Sequence, residues 1–264
     1  MITSGEAARL VSSSDGRFHF RMPQDLELDQ DEEWIAVRNG NGWQTLRLHD
    51  YDVIYRTPGL YEAIVYDVLG CRSPNRLVQL FDHVLANWPT EPGDLRVLDL
   101  GAGNGIVGER LRKLGVERLV GIDILPEAAT AAQRDRPGTY DDYVVADLCD
   151  PTPENLDRIQ REQPNALFTV AALGFGDIPP DAFRTAFNAI ETPGWLALTI
   201  KEDFLESGEE SGFSGLLRRM VRHGIVNEEA RLRIRHRTSI AGEPIFYVAI
   251  IARKLEDIPA RLVN

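Results

Sequence analysis

The chain of 264 residues is long enough to bury a full hydrophobic core, and its 41 acidic against 29 basic residues leave a net charge of −12. Such a surface repels phosphate backbones and disfavours nucleic acid as a partner, and no apolar run approaches the ~20 residues that span a bilayer. Met1 to Leu10 lacks a basic stretch followed by an apolar core, so no signal peptide and a cytoplasmic protein are expected. The two cysteines, Cys71 and Cys149, and the five scattered histidines have no ligand spacing; the thiols are read as idle and no metal site is expected.

Residues 1–50 read as a small antiparallel β extension. Arg17 to Arg21 alternates, and Trp34–Arg38 and Trp43–Leu48 flank Asn39-Gly40-Asn41-Gly42, a strong hairpin signal. The acids between Asp29 and Glu33 are expected to be solvated. Residues 51–92 read as a helical cap. Thr57 and Ser73 can each cap a helix, with Pro58 and Pro74 at the first helical positions. Four of the seven tyrosines (Tyr51, Tyr55, Tyr61 and Tyr66) fall in this segment.

Residues 93–264 alternate strand and helix. The segment Val97-Leu98-Asp99-Leu100-Gly101-Ala102-Gly103-Asn104-Gly105 runs from an apolar strand into glycine at every second position. A helix-period segment with Ile106, Val107, Leu111 and Leu114 follows. Strand, glycine turn and helix make a cofactor site, because glycine admits a ligand where a Cβ would block it and the helix N-terminus offers free N–H groups. A dinucleotide fingerprint would need a third glycine at position 106, which is Ile106. Arg118–Asp123 reads as a second strand ending in an acid, about 20 residues beyond the first glycine, where a carboxylate can accept both hydroxyls of a ribose. Tyr143–Leu148 reads as a third, with Asp147 at its end.

Further on, Pro153–Arg161 is helical and Ala166–Ala172 is an apolar strand covered on both faces. Helix Pro180–Ile190, strand Gly194–Ile200 and helix Ser211–His223 follow. Strands Ala230–Ile240 and Ile245–Lys254, joined by a short turn, close the sheet as an antiparallel pair.

The run from Asp99 to Gly105 closely resembles the first motif of class I S-adenosylmethionine-dependent methyltransferases, and the order of elements from about 93 to 254 resembles their core. The resemblance implies an α/β fold: a seven-stranded, mostly parallel Rossmann-like sheet flanked by helices, with the last strand pair antiparallel. It implies S-adenosyl-L-methionine as cofactor and S-adenosyl-L-homocysteine as product. Gly101, Ala102, Gly103, Asn104 and Gly105 would wrap the methionine part, with Asp99 near its ammonium. Asp123 would take the ribose, Ile124 the adenine face, Asp147 the adenine amino group, and Leu148 would lie beside the base. Ala171, at the end of the fourth strand, would line the same space. Tyr55 and Tyr61 are candidates for the cofactor carboxylate, with ordinary ring packing as the alternative reading.

The acceptor side is less determined. Methyl transfer is an in-line displacement that needs alignment and exclusion of water, and a base only when the acceptor is a hydroxyl or acidic carbon. Tyr51, Phe175, Asp177 and Lys201 are candidates to line an acceptor site, and Asp177, Glu202 and His236 are the candidate bases. The order Asp177-Ile178-Pro179-Pro180 departs from the Asn/Asp-Pro-Pro-aromatic motif of amino-methylating enzymes, and no Pro-Cys is present for cytosine C5 chemistry. In Arg231–Arg237 every odd position is arginine, which alternation places on one face opposite Leu232, Ile234 and His236. The expected activity is methylation of a small molecule. The alternatives are an RNA or protein methyltransferase docking through the arginine strand, and a cofactor-binding protein without catalysis. A homodimer is compatible with the sequence.

Overall fold

The computed structural model describes residues 8–23, 28–40, 42–173, 177–206 and 212–263. The chain forms two compact units, Met1–Arg72 with Arg235–Phe246, and Ser73–Ile234 with Tyr247–Asn264. The division falls at 72/73 rather than at 92/93, and a late segment returns to the N-terminal unit.

The N-terminal unit holds a four-stranded antiparallel sheet, β1 (Ala8–Ser12), β2 (His19–Pro23), β3 (Trp34–Asn39) and β4 (Gly42–Arg47), in sequential order. Asn39 pairs with Gly42 across the predicted hairpin turn, and Gly40 takes φ 57°, a left-handed value that glycine adopts without strain. Helix α1 (Tyr51–Arg56) ends where a helix start was expected. Pro58 disfavours a helical conformation in the residue before it, and Thr57 is extended, at φ −98° and ψ 116°. Gly59 then turns the chain at φ 76° into α2 (Leu60–Glu62), which continues as a π-helical stretch over Ala63–Val68. Phe20, Met22, Ile35, Leu46, Ile54 and Ile64 share one core with Ile240 of the returning segment.

Glu33 corrects the expectation of a solvated acidic run. It is buried, accepts from Arg237 Nη2, and its Oε1 accepts from the Ile240 backbone N–H at 2.6 Å. Arg237 likewise leaves the exposed arginine face assigned to it and is buried, while Leu232 is exposed. The alternation fails because a buried carboxylate demands a cationic partner wherever the chain can supply one.

The second unit carries a seven-stranded sheet in the order β10-β11-β9-β8-β5-β6-β7. Its strands are β5 (Arg96–Leu100), β6 (Arg118–Asp123), β7 (Asp142–Val145), β8 (Ala166–Leu173), β9 (Gly194–Lys201), β10 (Val226–Thr238) and β11 (Pro244–Lys254). Strands β5 to β9 are parallel, and β11 runs antiparallel to β9 with Ile250 opposite Leu198. Helix α3 (Ser73–Leu85) covers one face, with Phe81 edge-on to Phe168 and Trp195 at 4.9 and 5.6 Å. Helices α6 (Pro153–Arg161), α7 (Pro180–Ala189) and α9 (Gly212–Arg222) cover the other, where Ile159, Phe183, Phe187, Leu216 and Met220 pack on Leu98, Leu167, Leu196 and Leu198. Ser211, the expected start of α9, lies outside the described residues. Lys254 is fully buried, and its Nζ donates to the Phe187 and Ile190 carbonyls at the end of α7. Helices α4 (Ile106–Leu114) and α5 (Pro126–Asp135) follow β5 and β6. The C-terminal ends of β5, β6 and β7 are thereby brought side by side, Leu100 pairing with Ile122 and Asp123 with Val145.

Candidate cofactor site

Gly101, Gly103 and Gly105 all take left-handed φ, at 73°, 53° and 86°. A side chain at Gly101 would place its Cβ 2.8 Å from that of Ala172, so the end of β8 seats directly on the loop. Backbone N–H groups of Gly101 and Ala102 both donate to the Ile122 carbonyl, at 2.8 and 3.0 Å, anchoring the loop to β6. Gly105 opens α4, and Asn104 is buried with its carbonyl accepting from Arg136 Nη1 at 3.0 Å.

Asp123 ties the second strand end to this loop. Its Oδ2 accepts from Gly103 N–H at 2.9 Å and its Oδ1 from Leu125 N–H at 3.0 Å. A carboxylate has about four acceptor sites, and backbone N–H groups of Gly103, Ile124 and Leu125 draw on those of Asp123. Burial raises its pKa, against the backbone bonds that favour the anion. Ile124 beside it is 58% exposed, an apolar side chain left open at a strand end. Asp147 is exposed, with Oδ1 accepting from Cys149 N–H at 2.8 Å, and Leu148 is buried.

Asp99 is fully buried. Its Oδ2 accepts from the Tyr140 hydroxyl at 2.7 Å, while its Oδ1 has no hydrogen-bond partner among the described residues. Desolvation pushes its pKa up to about 7; the Tyr140 bond opposes that rise and the neighbouring Asp123 charge adds to it. A buried carboxylate oxygen with nothing to accept is costly unless a donor or cation completes the site.

Tyr140 and Tyr143 were not anticipated. Tyr143 donates to the Gly103 carbonyl at 2.7 Å, and the two rings meet edge to face at 5.3 Å. Two glycines make room for them. A Cβ at Gly108 would lie 2.7 Å from the Tyr140 hydroxyl oxygen, and one at Gly121 would lie 2.8 Å from the Tyr143 ring. Glycine inside a helix and inside a strand is the signal that could have found this packing, because both positions disfavour it.

Ala171 has φ 54°, uncommon for a residue with a Cβ, at an irregularity in the β8–β9 pairing between Thr169 and Leu173. Its N–H donates to Thr199 Oγ1 at 2.8 Å, which satisfies the amide that the irregularity frees.

The acceptor-side candidates fall in both units. Asp177 is exposed just before α7, and Phe175 lies outside the described residues. Lys201 pairs with Asp203 at 3.0 Å, and Glu202, which opens α8 (Glu202–Glu206), accepts from Arg233 Nε at 2.6 Å. His236 belongs to the N-terminal unit. It is buried with Nδ1 3.7 Å from Cys71 Sγ, and its pKa is held well below the usual value by burial and then by Arg237. Tyr51, Tyr55, Tyr61 and Tyr66, also in that unit, form a chain of rings, with Tyr51–Tyr55 at 6.0 Å, Tyr55–Tyr61 at 5.2 Å and Tyr61–Tyr66 at 6.2 Å.

The sequence signature described as "Methyltransferase domain" matches residues 98–198, from the middle of β5 into β9. No curated protein matches the chain in sequence. Among solved structures, the chain is similar to the N-methyltransferase NodS from Bradyrhizobium japonicum in complex with S-adenosyl-L-homocysteine. That likeness has a TM-score of 0.54 and 14% identity, and covers 79% of this chain and 98% of that one. A Thermoplasma acidophilum protein follows at a TM-score of 0.49 and 17% identity, covering 78% and 97%. A ribosomal protein L11 methylase from Lactobacillus delbrueckii has a TM-score of 0.46 and 15% identity, covering 69% and 79%. Among the described residues no helix is long and apolar enough to cross a membrane. The sequence signature and the sheet order agree: residues 98–198 are similar to a methyltransferase domain, and they span the parallel strands from β5 into β9.

Proposed function

We propose that the chain methylates a small-molecule acceptor, with the cofactor held across the ends of β5, β6 and β7. Bound S-adenosylmethionine supplies a methyl group already activated by the positive sulfur. The chain's own residues fix its position. Asp123 would accept from the ribose hydroxyls. Ile124 covers one adenine face, and Asp147 accepts from the adenine amino group with Leu148 beside the base. The loop from Gly101 to Gly105 lets the backbone approach the methionine part, and the orphan Oδ1 of Asp99 faces a cationic ammonium in this reading. Ala171 lines the space beside the loop. These residues fit the group on one point above others: a buried carboxylate oxygen without a donor is the complement of an ammonium.

The reading of a small acceptor rests on the arginine strand. Arg231 is held by Glu228 at 2.6 Å, Arg233 by Glu202 and Arg237 by buried Glu33, so the stripe that would grip an anionic macromolecule is largely neutralised from within. The acidic surface works in the same direction. The test is a product scan with labelled cofactor against metabolite, RNA and protein pools. A metabolite heavier by one CH2 is expected. Label appearing only in RNA or protein would replace this reading with the macromolecular one. Cofactor binding with no S-adenosylhomocysteine from any pool would mark a non-catalytic protein.

A further inference from the structure

A cavity of about 390 Å³ lies in the core unit between α9 and the strands β9, β11 and β10. Its floor is apolar, built from Leu196, Leu198 and Ile250, and its wall is Leu217 and Val221. The register separates it from the cofactor loop. Leu196 pairs with Leu167 and Leu167 with Leu98, which places the floor on the sheet face of the main core, whereas Asp99 is the neighbouring position of β5 and points to the other face, toward Tyr140.

Three arginines border this apolar floor. Arg231 is engaged by Glu228 through two hydrogen bonds, at 2.9 and 2.6 Å. Arg218 and Arg222 stand one turn apart on α9. Arg218 donates through Nη1 to the Leu205 carbonyl at 3.3 Å, while its Nη2 is buried with no hydrogen-bond partner among the described residues. A buried guanidinium N–H without an acceptor is as costly as an orphan carboxylate, and it asks for an anion. The rim carries positive charge in a chain whose net charge is −12, so it is not a sample of the general surface.

We propose that this cavity is a second ligand site, for a small amphipathic carboxylate. The apolar chain or ring lies along Leu205, Leu217 and Val221 above the buried floor, and the carboxylate accepts from Arg218, with Arg222 adding charge. The volume falls within the range of small-molecule pockets, and an apolar lining with few convergent polar groups is their usual composition. This site does not depend on the identity of the methyl acceptor.

The experiment is a calorimetric titration of the full chain with decanoate and, separately, decanol, below their aggregation limits. Saturable decanoate binding is expected, at least tenfold tighter than decanol. Arg218→Met should weaken decanoate at least tenfold, and Arg218→Lys should retain part of the affinity. Val221→Trp changes a half-exposed wall residue and should fill the cavity, giving a second variant if Arg218→Met unfolds. S-adenosylmethionine affinity and thermal midpoint should stay at wild-type values in folded variants. No saturable binding, equal binding of acid and alcohol, or undiminished decanoate affinity in both Arg218→Met and Val221→Trp would overturn the proposal.

Discussion

The N-terminal unit and the loop end of the parallel sheet both bury carboxylates, and they treat them oppositely. In the first, Glu33 is closed off, with both oxygens taken by Arg237 and the Ile240 amide. In the second, Asp99 is fully buried and one of its oxygens has no hydrogen-bond partner among the described residues. A carboxylate with a donor from its own chain on each oxygen is a structural joint. One left incomplete beside a glycine loop is, in the proposed function, the group that the cofactor would complete.

The comparison breaks first at Glu33. Glu33→Ala leaves Arg237 buried and unpaired, and should cost about 3–5 kcal/mol in urea unfolding. The double variant Glu33→Met with Arg237→Met should recover much of that loss. A single variant as stable as wild type would remove the claim that this pair joins the returning segment to the sheet.

At the open site, Asp123→Ala leaves the Gly103 and Leu125 N–H groups without their acceptor and should cost about 1–3 kcal/mol of stability; it should weaken S-adenosylmethionine on the order of 100-fold, from two charge-assisted hydrogen bonds of about 1.5 kcal/mol each. Gly103→Val, at φ 53°, should also abolish binding, because a β-branched residue does not adopt that conformation. Wild-type affinity in calorimetric titration of both variants would sink the assignment.

Asp99 gives the comparison a pH axis. Its folded pKa of about 7 lies above the ordinary value of 3.8, so the native state holds its proton more tightly than the unfolded chain does. Its contribution to stability is therefore largest below pH 3.8, falls as pH rises toward 7, and is level above that. Other carboxylates, such as Asp142 held low by Arg158, trend the opposite way, so the informative quantity is the difference from Asp99→Asn. Between pH 5 and 8 wild type should lose on the order of 2 kcal/mol relative to that variant. Parallel curves would mean that Asp99 does not titrate in this range. If the bound ammonium favours the anion, S-adenosylmethionine should also bind wild type more tightly at pH 8 than at pH 6.

The smallest expected effect is at Tyr143. Tyr143→Phe removes one hydrogen bond to the Gly103 carbonyl and should weaken cofactor binding about fivefold, near 1 kcal/mol, with the fold intact. An unchanged affinity would make the ring alone, and not its hydroxyl, the support of the loop.

Much of the core was legible along the chain because its signals are local. The glycines that need positive φ, the acids at strand ends and the periodicity of α6, α7 and β9 each sit within a few residues of the feature they produce. The hairpin at Gly40 was readable for the same reason. The helix expected from Thr57 failed because two local rules competed there, a capping residue and a proline that bars its predecessor from helix, and only the packed chain shows which prevailed. The odd-numbered arginines failed at Arg237, because alternation is set by burial and a carboxylate 204 residues earlier in the chain decided that burial.

By itself the sequence determined the α/β class, the glycine loop and the segments that carry Asp99, Asp123 and Asp147 at or just past strand ends, all of them consequences of short-range backbone geometry. Tertiary structure alone decided which polar atoms are left without partners. Tyr140 reaching Asp99 across 41 residues, Arg237 reaching Glu33, and Arg218 burying an N–H group without a partner among the described residues depend on how distant segments pack, and neither composition nor spacing encodes who meets whom.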